Sequence, residues 1–263
     1  MPYLELANHS IYYHYSDNHD LSTPWVTLVN GYTRSSNDFR ILTKKLASQG
    51  LRVLNIDNRG AGNSSTENPF KFEDFCSDIL EVWDFLKIAH SHLLGISMGG
   101  AICQLLASKA PEQVEKIILI STFLHPRNLR EKRWGSDIDQ VVEQLRDYFS
   151  HEFSQANTPL IKMMAKQIVR ANSDGSFDLG ANLQKKALKT FYEKDYKPNV
   201  TSPTLIIHGT ADRIVPFSQG ESLANCISDS NLLRVEGGGH LLLAEAPKTI
   251  YDESVKFLCR DSQ

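Results

Sequence analysis

The stretch Leu93–Ala101 constrains the fold of this chain more than any other. A short apolar run leads into a Gly-x-Ser-x-Gly pattern at residues 95–99, and a helical pattern begins directly afterwards. A serine at the apex of so sharp a strand-to-helix turn has a strained backbone, and side chains two residues away on either side would collide, so glycine stands at both places. The pattern predicts that Ser97 Oγ is exposed above a sheet and that Met98 N–H, at a helix N-terminus, points at any oxyanion formed there.

Apolar runs and helical patterns alternate along most of the chain. The central runs are apolar throughout, which is typical of strands in a parallel sheet that is covered on both faces. The first two runs are short and predict an antiparallel edge. For 263 residues we expect one α/β domain, with a mostly parallel eight-stranded sheet and helices on both faces. The predicted strands are Tyr3–Leu6, Ile11–Tyr15, Trp25–Val29, Leu51–Ile56, the run ending at Gly95, Val114–Ile120, Thr204–Ile207 and Leu232–Val235.

The alternation stops between Thr122 and Pro203, where helical stripes continue without a convincing strand. A segment of this length is too long for a simple connection, so it forms either a lid or a separate unit. The apolar stripes are Ile138, Val141, Val142, Leu145 and Phe149; Leu160, Ile161, Met164 and Ile168; and Leu183, Ala187, Leu188 and Phe191.

Asp212 and His240 occupy loops that follow two late strands. A serine hydroxyl is a poor nucleophile at neutral pH, so it needs a base within hydrogen-bond reach and an anion that fixes the tautomer of that base. Taken singly, Asp212 fits a turn or a helix cap, and His240 fits a glycine-rich loop. With Ser97 they follow the chain order serine, acid, histidine, each after a separate strand, and together they predict a catalytic triad.

These segments resemble the α/β-hydrolase superfamily, and most of all its small esterases, lactonases and cofactor-free haloperoxidases. The resemblance is carried by Gly95–Gly100 at the serine, Ile207–Asp212 at the acid and Gly238–His240 at the base. It implies an α/β-hydrolase fold and no cofactor or metal.

The resemblance also implies a division of the chain and a second oxyanion donor. Residues 1–122 and 203–263 would form the core, and 123–202 a helical cap over the active site; the alternative is a small helical bundle packed to one side. The second donor would be the backbone N–H of Tyr32, in the loop after the third strand. Asn30 stands where the superfamily commonly has histidine. A backbone donor does not depend on that side chain, and Asn30 can itself hydrogen-bond neighbouring backbone.

The segment Asp57–Ser64, Asp-x-Arg-Gly-x-Gly-x-Ser, resembles a further signature of the superfamily. We interpret it as structural, with glycines for a tight turn and a charged pair that holds the turn. A phosphate-binding role is disfavoured because no suitable helix N-terminus follows at the right spacing.

The residue at position 97 excludes rival folds and chemistries. A dinucleotide-binding loop needs glycine where Ser97 stands and an acidic residue after the next strand, where Ser121 and Thr122 lie. Haloalkane dehalogenases and epoxide hydrolases of the resembled fold have aspartate at the position that Ser97 occupies here. We therefore predict a serine hydrolase that cleaves carboxylic esters or lactones through an acyl-enzyme on Ser97. Carbon–carbon bond hydrolysis, perhydrolysis and a receptor-like role that binds and signals are the alternatives.

Several apolar residues near the predicted loops and in the cap indicate a small to medium, apolar substrate. The same residues could equally belong to the core. The candidates are Phe123, Met163, Met164, Val215 and Leu241.

Charge, cysteine content and apolar runs restrict the classes of partner and the location that we expect for this chain. A net charge of −3 gives no field that would draw nucleic acid, so a small-molecule substrate is expected, with a monomer or homodimer. The four cysteines are far apart and form no C-x-x-C pair, which predicts reduced, buried thiols and a cytoplasmic location. The N-terminus does not resemble a signal peptide, and no apolar run reaches the roughly 18 residues of a membrane span.

Overall fold

The computed structural model describes residues 2–16, 22–66, 68–124, 134–135, 137–171, 176–192 and 197–259. Its centre is one eight-stranded sheet in the order β1-β2-β4-β3-β5-β6-β7-β8. The strands are β1 (Tyr3–Leu6), β2 (His9–Tyr15), β3 (Trp25–Val29), β4 (Arg52–Ile56), β5 (Ser91–Ile96), β6 (Val114–Ile120), β7 (Thr204–Gly209) and β8 (Ser230–Val235).

Strand direction follows the predicted pattern. β1 pairs with β2, and β2 with β4, in antiparallel register, while the pairs from β4 to β8 are parallel. β3 and β5 are buried along their whole length, as expected for strands covered on both faces. The predicted mostly parallel sheet with an antiparallel edge is confirmed.

Two helical layers cover the sheet. Neighbouring side chains of a strand point to opposite faces, so Leu93 packs in one apolar cluster and Leu94 in the other. The helices are α1 (Arg40–Ala47), α2 (Glu73–Leu86), α3 (Met98–Lys109), α4 (Ile138–Arg146), α5 (His151–Ala156), α6 (Thr158–Ala171), α7 (Ser176–Tyr192), α8 (Ser218–Cys226), α9 (Leu242–Glu245) and α10 (Pro247–Leu258), with 3₁₀ helices at Ser36–Phe39 and Pro111–Gln113. The first cluster unites α2, α3 and α8, and the second unites α1 and α10.

Between β6 and β7 the described part of the chain contains the helices α4 to α7 and no strand, as predicted, and these helices contact other parts of the molecule. Helices α4 and α6 share a third apolar cluster, against which Leu241 and Ala244 pack from the chain after β8. Helix α7 joins the first cluster, where Phe191 stacks on Phe72 at 4.7 Å between ring centroids. The predicted limits of a cap at 123–202 fall partly outside the described residues and stay a prediction.

The Asp57–Ser64 turn is held by hydrogen bonds within the turn and to neighbouring segments. Asp57 accepts hydrogen bonds from Ser36 N at 2.6 Å and Asn63 N at 2.8 Å. Gly62 has φ +59°, and a Cβ there would lie 2.1 Å from Asp57 Oδ2, so only glycine fits. Arg59 pairs with two carboxylates of α2, Asp78 with 2.6 Å between Nε and Oδ2, and Asp74 with 3.9 Å between Nη1 and Oδ2.

The cysteine prediction is only half right. The four thiols are free, and Cys76 and Cys103 are buried, but Cys226 and Cys259 are exposed. Cys226 is the last residue of α8 and Cys259 follows the last residue of α10, so both lie where a buried helical face runs out. No helix in the described ranges is long and apolar enough to cross a membrane.

Candidate active site

Ser97 lies at the sharp turn between β5 and α3. Its φ of 53° and ψ of −119° are unfavourable for a residue with a Cβ. The conformation is held from both sides, because Ser97 N donates to Ile120 O at 3.0 Å and Ser97 O accepts from Thr122 Oγ1 at 2.6 Å. The end of β6 and the residues directly after it therefore hold Ser97 in this strained conformation.

The two glycines flanking the serine are required sterically. A Cβ at Gly95 would lie 2.5 Å from Gly99 O, and a Cβ at Gly99 would lie 2.1 Å from Val29 O. Both distances are far below van der Waals contact. The predicted collisions are confirmed. The collision at Gly99 is with the backbone at the end of β3 and not with the turn itself.

A hydrogen-bonded chain joins Ser97, His240 and Asp212. His240 Nε2 lies 3.2 Å from Ser97 Oγ, and His240 Nδ1 lies 2.8 Å from Asp212 Oδ2. His240 and Asp212 are buried, and Ser97 is half-buried. Because a carboxylate only accepts, Nδ1 carries the ring proton and Nε2 presents its lone pair to the hydroxyl. The structure thus brings the three residues together in the arrangement in which the imidazole can accept the Ser97 proton.

The Asp212 carboxylate is stabilised in its charged form. Oδ1 accepts from Ile214 N at 2.9 Å and from Val215 N at 2.8 Å. Burial alone would raise the pKa of Asp212, but the adjacent His240 and His208 rings hold that pKa well below its usual range. Asp212 is therefore an anion at neutral pH and suits the role of orienting His240.

His208 is a second histidine at Asp212 that the sequence did not single out. It lies on β7, fully buried, with Nε2 3.0 Å from Val215 O and 3.4 Å from Asp212 Oδ2. Both neighbours are acceptors, so Nε2 carries the proton. A Cβ at Gly220 would lie 2.8 Å from His208 Nδ1, which shows how closely α8 covers the ring. The sequence shows that His208 lies four residues before Asp212. The alternation of side chains along a strand does not predict that these two side chains come together across the turn after β7.

Asn30 secures the loop that follows β3. Its Oδ1 accepts from Gly31 N at 2.7 Å, and its Nδ2 donates to Ser35 O at 2.6 Å. A Cβ at Gly31 would lie 3.4 Å from Ser97 Cβ, so the loop passes directly beside the serine. Asn30 thus hydrogen-bonds neighbouring backbone as expected.

The two predicted oxyanion donors lie on either side of the place where the Gly31 loop approaches Ser97. Tyr32 follows Gly31 in the loop beside the serine, and Met98 is the first residue of α3. The first N–H groups of a helix lack acceptors within it, which makes Met98 N–H suitable as a donor to an anion. Their catalytic role remains a prediction.

The predicted apolar lining residues lie in different surroundings. Phe123 and Val215 are buried in the first cluster. Met164 and Leu241 pack against the cluster of α4 and α6. Met163 is 51% exposed on α6, so the structure does not bring it into that cluster. Their contact with a substrate stays a prediction.

The segment after α4 contacts the His240 loop, which the sequence did not reveal. Tyr148 O accepts from His240 N at 2.8 Å and from Leu241 N at 3.1 Å. The Tyr148 ring also meets the His240 ring edge-on at 5.7 Å. Burial raises the pKa of Tyr148 to about 12, so its hydroxyl stays neutral beside the site.

Comparison with known proteins agrees with this architecture. A sequence profile described as the alpha/beta hydrolase fold matches residues 24–247. The sheet order and the site define a hydrolase of the α/β fold. The chain belongs to the α/β-hydrolase fold family.

Similar proteins span nearly the whole chain. A bifunctional esterase/perhydrolase of Acinetobacter calcoaceticus is 24% identical over 263 residues, covering 93% of this chain and 95% of that protein. The enol-lactonase from Burkholderia xenovorans LB400 superimposes with a TM-score of 0.83 at 22% identity, covering 98% of this chain and 100% of that one. The 2-hydroxy-6-oxo-6-phenylhexa-2,4-dienoate hydrolase from Rhodococcus sp. strain RHA1 gives 0.84 at 20% identity, covering 98% of each chain. At these identities, the two structural matches establish the fold and not the substrate.

Proposed function

We propose that this chain is a serine hydrolase that cleaves carboxylic esters or lactones through an acyl-enzyme on Ser97. The observation that carries the proposal is the hydrogen-bonded chain from Ser97 through His240 to Asp212, with distances of 3.2 Å and 2.8 Å. Its polarity favours proton transfer from the hydroxyl to the ring, which is the step that activates a serine.

In acylation, Ser97 Oγ attacks the carbonyl carbon and His240 Nε2 takes its proton. The Asp212 carboxylate stabilises the resulting imidazolium. Met98 N–H and Tyr32 N–H donate to the oxyanion of the tetrahedral intermediate. His240 then protonates the leaving alcohol as the acyl–oxygen bond breaks.

Deacylation repeats these roles with water. His240 takes a proton from the water that attacks the acyl carbon, and returns it to Ser97 Oγ as the acid leaves. With a lactone, the leaving alcohol remains part of the acyl group, so one hydroxy acid is released. The mechanism requires neither a metal nor a cofactor.

We infer a small to medium, apolar substrate. The half-buried Leu241 directly follows the base and packs against the cluster of α4 and α6, which supports an apolar wall beside His240. Helices α4 to α7 would then act as a cap that governs access. We expect a monomer or homodimer in the cytoplasm, without a nucleic-acid partner.

The decisive test combines labelling with turnover. Ser97→Ala should abolish labelling by a small fluorophosphonate and lower ester turnover by about 10⁴–10⁶, because only the attacking oxygen is lost. The matched control is Ser222→Ala, which removes an exposed hydroxyl on α8 that donates to Ser218 O at 2.8 Å. Retention of more than about a tenth of wild-type turnover in Ser97→Ala would place the nucleophile elsewhere.

The substrate panel for this test should vary chain length and ring closure. Esters of short to medium acids, lactones of several sizes and one carbon–carbon bond substrate together distinguish the possible hydrolytic reactions. A high turnover number also distinguishes an enzyme from a receptor-like protein, which would process few molecules per chain.

Perhydrolysis is a second candidate, favoured by the similarity to an esterase/perhydrolase. Hydrogen peroxide would attack the same acyl-enzyme in place of water and release a peracid. Adding peroxide to an acetate-ester assay and measuring peracetic acid tests this. If Ser97-dependent acetate is formed without peracid, water is the acceptor and this candidate is excluded.

A further inference from the structure

Helix α7 reaches the loop beside Ser97 through one fully buried polar side chain, Gln184. Gln184 Oε1 accepts from Thr33 N at 2.9 Å, and Gln184 Nε2 donates to Arg59 O at 2.8 Å. One partner is a donor and the other an acceptor, so the amide can lie in only one orientation. Turned over, it would place donor against donor and acceptor against acceptor. The bridge is therefore directional and joins two segments of the core through a residue of the inserted helices.

Thr33 is the residue of this loop that most needs support. Its φ of +59° is unfavourable for a side chain branched at Cβ. Its N–H directly follows Tyr32, the proposed oxyanion donor. Since peptide units are planar, fixing the direction of the Thr33 N–H limits how the Tyr32 residue can rotate.

A second contact binds the same loop to the same helix. Tyr32 O–H donates to Ala181 O at 2.9 Å, and Ala181 lies one helical turn before Gln184. On its other side the loop is held by Asn30, as described above. The loop thus lies between a core residue and one face of α7.

The far end of the bridge is also anchored. Arg59, whose carbonyl accepts from Gln184, pairs through its guanidinium with the buried Asp78. The backbones touch as well, since a Cβ at Gly180 would lie 2.1 Å from Gly60 O. Helix α7 therefore packs closely on the Asp57–Ser64 turn. Because Gln184 also accepts from Thr33 N, the position of Thr33 depends on how α7 packs there.

We propose that Gln184 is a positioning residue that sets the direction of the Tyr32 N–H, so that the oxyanion hole is complete only when α7 is docked on the core. The inference rests on the proposed function for the role of Tyr32. It gives the inserted helices a part in the chemical step as well as in access.

The test compares Gln184→Met, which has similar length and no amide, with Thr190→Val as the control. Thr190 lies on the same helix, and its hydroxyl bonds the carbonyls of Lys186 and Ala187 at 3.0 Å. The measurements are kcat and KM for p-nitrophenyl acetate and hydrogen–deuterium exchange of residues 31–36. Loss of an oxyanion donor costs about 10²–10³ in kcat. A displaced donor should cost at least about tenfold in kcat with little change in KM, because it acts on the transition state.

Gln184→Glu provides the conservative rescue. A carboxyl keeps an acceptor for Thr33 N–H and, when protonated, also a donor for Arg59 O. Its kcat should exceed that of Gln184→Met, and its kcat relative to wild type should rise as the pH is lowered. A merely structural role would give no such pH dependence. If Gln184→Met does not fold, Gln184→Glu decides the matter on the same readouts.

Exchange at residues 31–36 should be faster in Gln184→Met than in wild type or Thr190→Val. Wild-type kcat and wild-type exchange in Gln184→Met would overturn the inference, and so would equal losses in Gln184→Met and Thr190→Val. Absence of Ser97-dependent turnover in the wild-type protein would instead refute the proposed function. The exchange measurement still tests the contact in that case.

Discussion

The two oxygens of Asp212 have different partners, and this difference controls the proton on His240. Oδ1 is occupied by the N–H groups of Ile214 and Val215, and Oδ2 faces the two histidine rings. The first pair fixes the carboxylate in place and leaves the second oxygen to define the tautomer of His240. At the scale of single residues, this is the feature on which the proposed mechanism depends most.

Asp212→Asn should reverse that tautomer. The amide oxygen will stay where Ile214 N and Val215 N donate, since an NH₂ group there would face two donors. The NH₂ group then faces His240 Nδ1, which must become an acceptor, so the ring proton moves to Nε2 and blocks transfer from Ser97. We expect kcat/KM to fall by about 10³–10⁴, as in other triads that lose the orienting carboxylate.

The control for this variant is Asp252→Asn. Asp252 pairs with Lys45 at 2.7 Å on the surface, so its loss should leave kcat/KM unchanged. Thermal unfolding of both variants verifies that they are folded. A wild-type rate in folded Asp212→Asn would mean that another group orients His240.

Residues of the candidate site could be predicted from the sequence only where a short sequence pattern contains them. Ser97, Asp212 and His240 were predictable because each follows a strand within a recognisable local segment. Gln184 was not, because its bond to Thr33 joins residues 151 positions apart. Helical periodicity marks α7 as amphipathic but does not say which residue of another segment a buried glutamine will meet.

At the scale of elements, strand existence was predictable and strand ends were less so. The apolar run at Leu51 predicted a start one residue before the observed one at Arg52. Leu51 N donates to Leu46 O, so this buried leucine completes the end of α1 instead of starting β4. β2 begins two residues earlier than predicted, because Leu6 pairs with the polar His9 next to the β1–β2 turn. In both cases a hydrogen-bond partner fixed the boundary and hydrophobicity did not.

The junction of α4 and α5 is tied to the loop that carries His240. Glu245 Oε1 accepts from Gly239 N at 3.1 Å and from Ser150 N at 3.1 Å. One carboxylate thus bridges the residue before His240 and Ser150, the residue that caps the N-terminus of α5. This contact therefore sets the position of α5 relative to the loop that carries His240.

Glu245→Leu should destabilise the protein and Glu245→Gln should do so much less. Leucine leaves two partly buried N–H groups without this acceptor, at a cost of about 1–3 kcal/mol for a group left unsatisfied. Glutamine can retain an oxygen at the same place. Urea unfolding measures both changes, and equal free energies of unfolding in the two variants would contradict the assigned role of the carboxylate.

At the scale of the whole molecule, the inserted helices contact both halves of the proposed machinery. The chain after α4 holds the His240 loop through Tyr148 O, and α7 holds the loop after β3 through Gln184. A cap that moved as one body would disturb the base and the oxyanion loop together.

A buried thiol next to the Ser97 turn can report whether the core remains packed there. Cys103 lies on α3, fully buried, and a Cβ at Gly95 would be 2.7 Å from its Sγ. Burial raises the pKa of Cys103 well above the usual range and that of Cys76 to about 12. Since the thiolate is the reactive species, both thiols are protected twice, by exclusion of the reagent and by lack of ionisation.

Iodoacetamide at about pH 8, near the usual thiol pKa, should therefore modify the exposed Cys226 and Cys259 in the native protein and reach Cys103 only when the molecule opens. Alkylated peptides identified by mass give the rate at each site, and ester turnover is followed in the same samples. Modification of Cys226 should leave activity intact, whereas modification of Cys103 should coincide with its loss, because α3 cannot expose that thiol while it supports the Ser97 turn. In rising urea, the Cys76 and Cys103 rates should increase together, since the two residues share one apolar cluster. If Cys103 in the active protein reacted as fast as Cys226, α3 would not be packed beneath the turn as described.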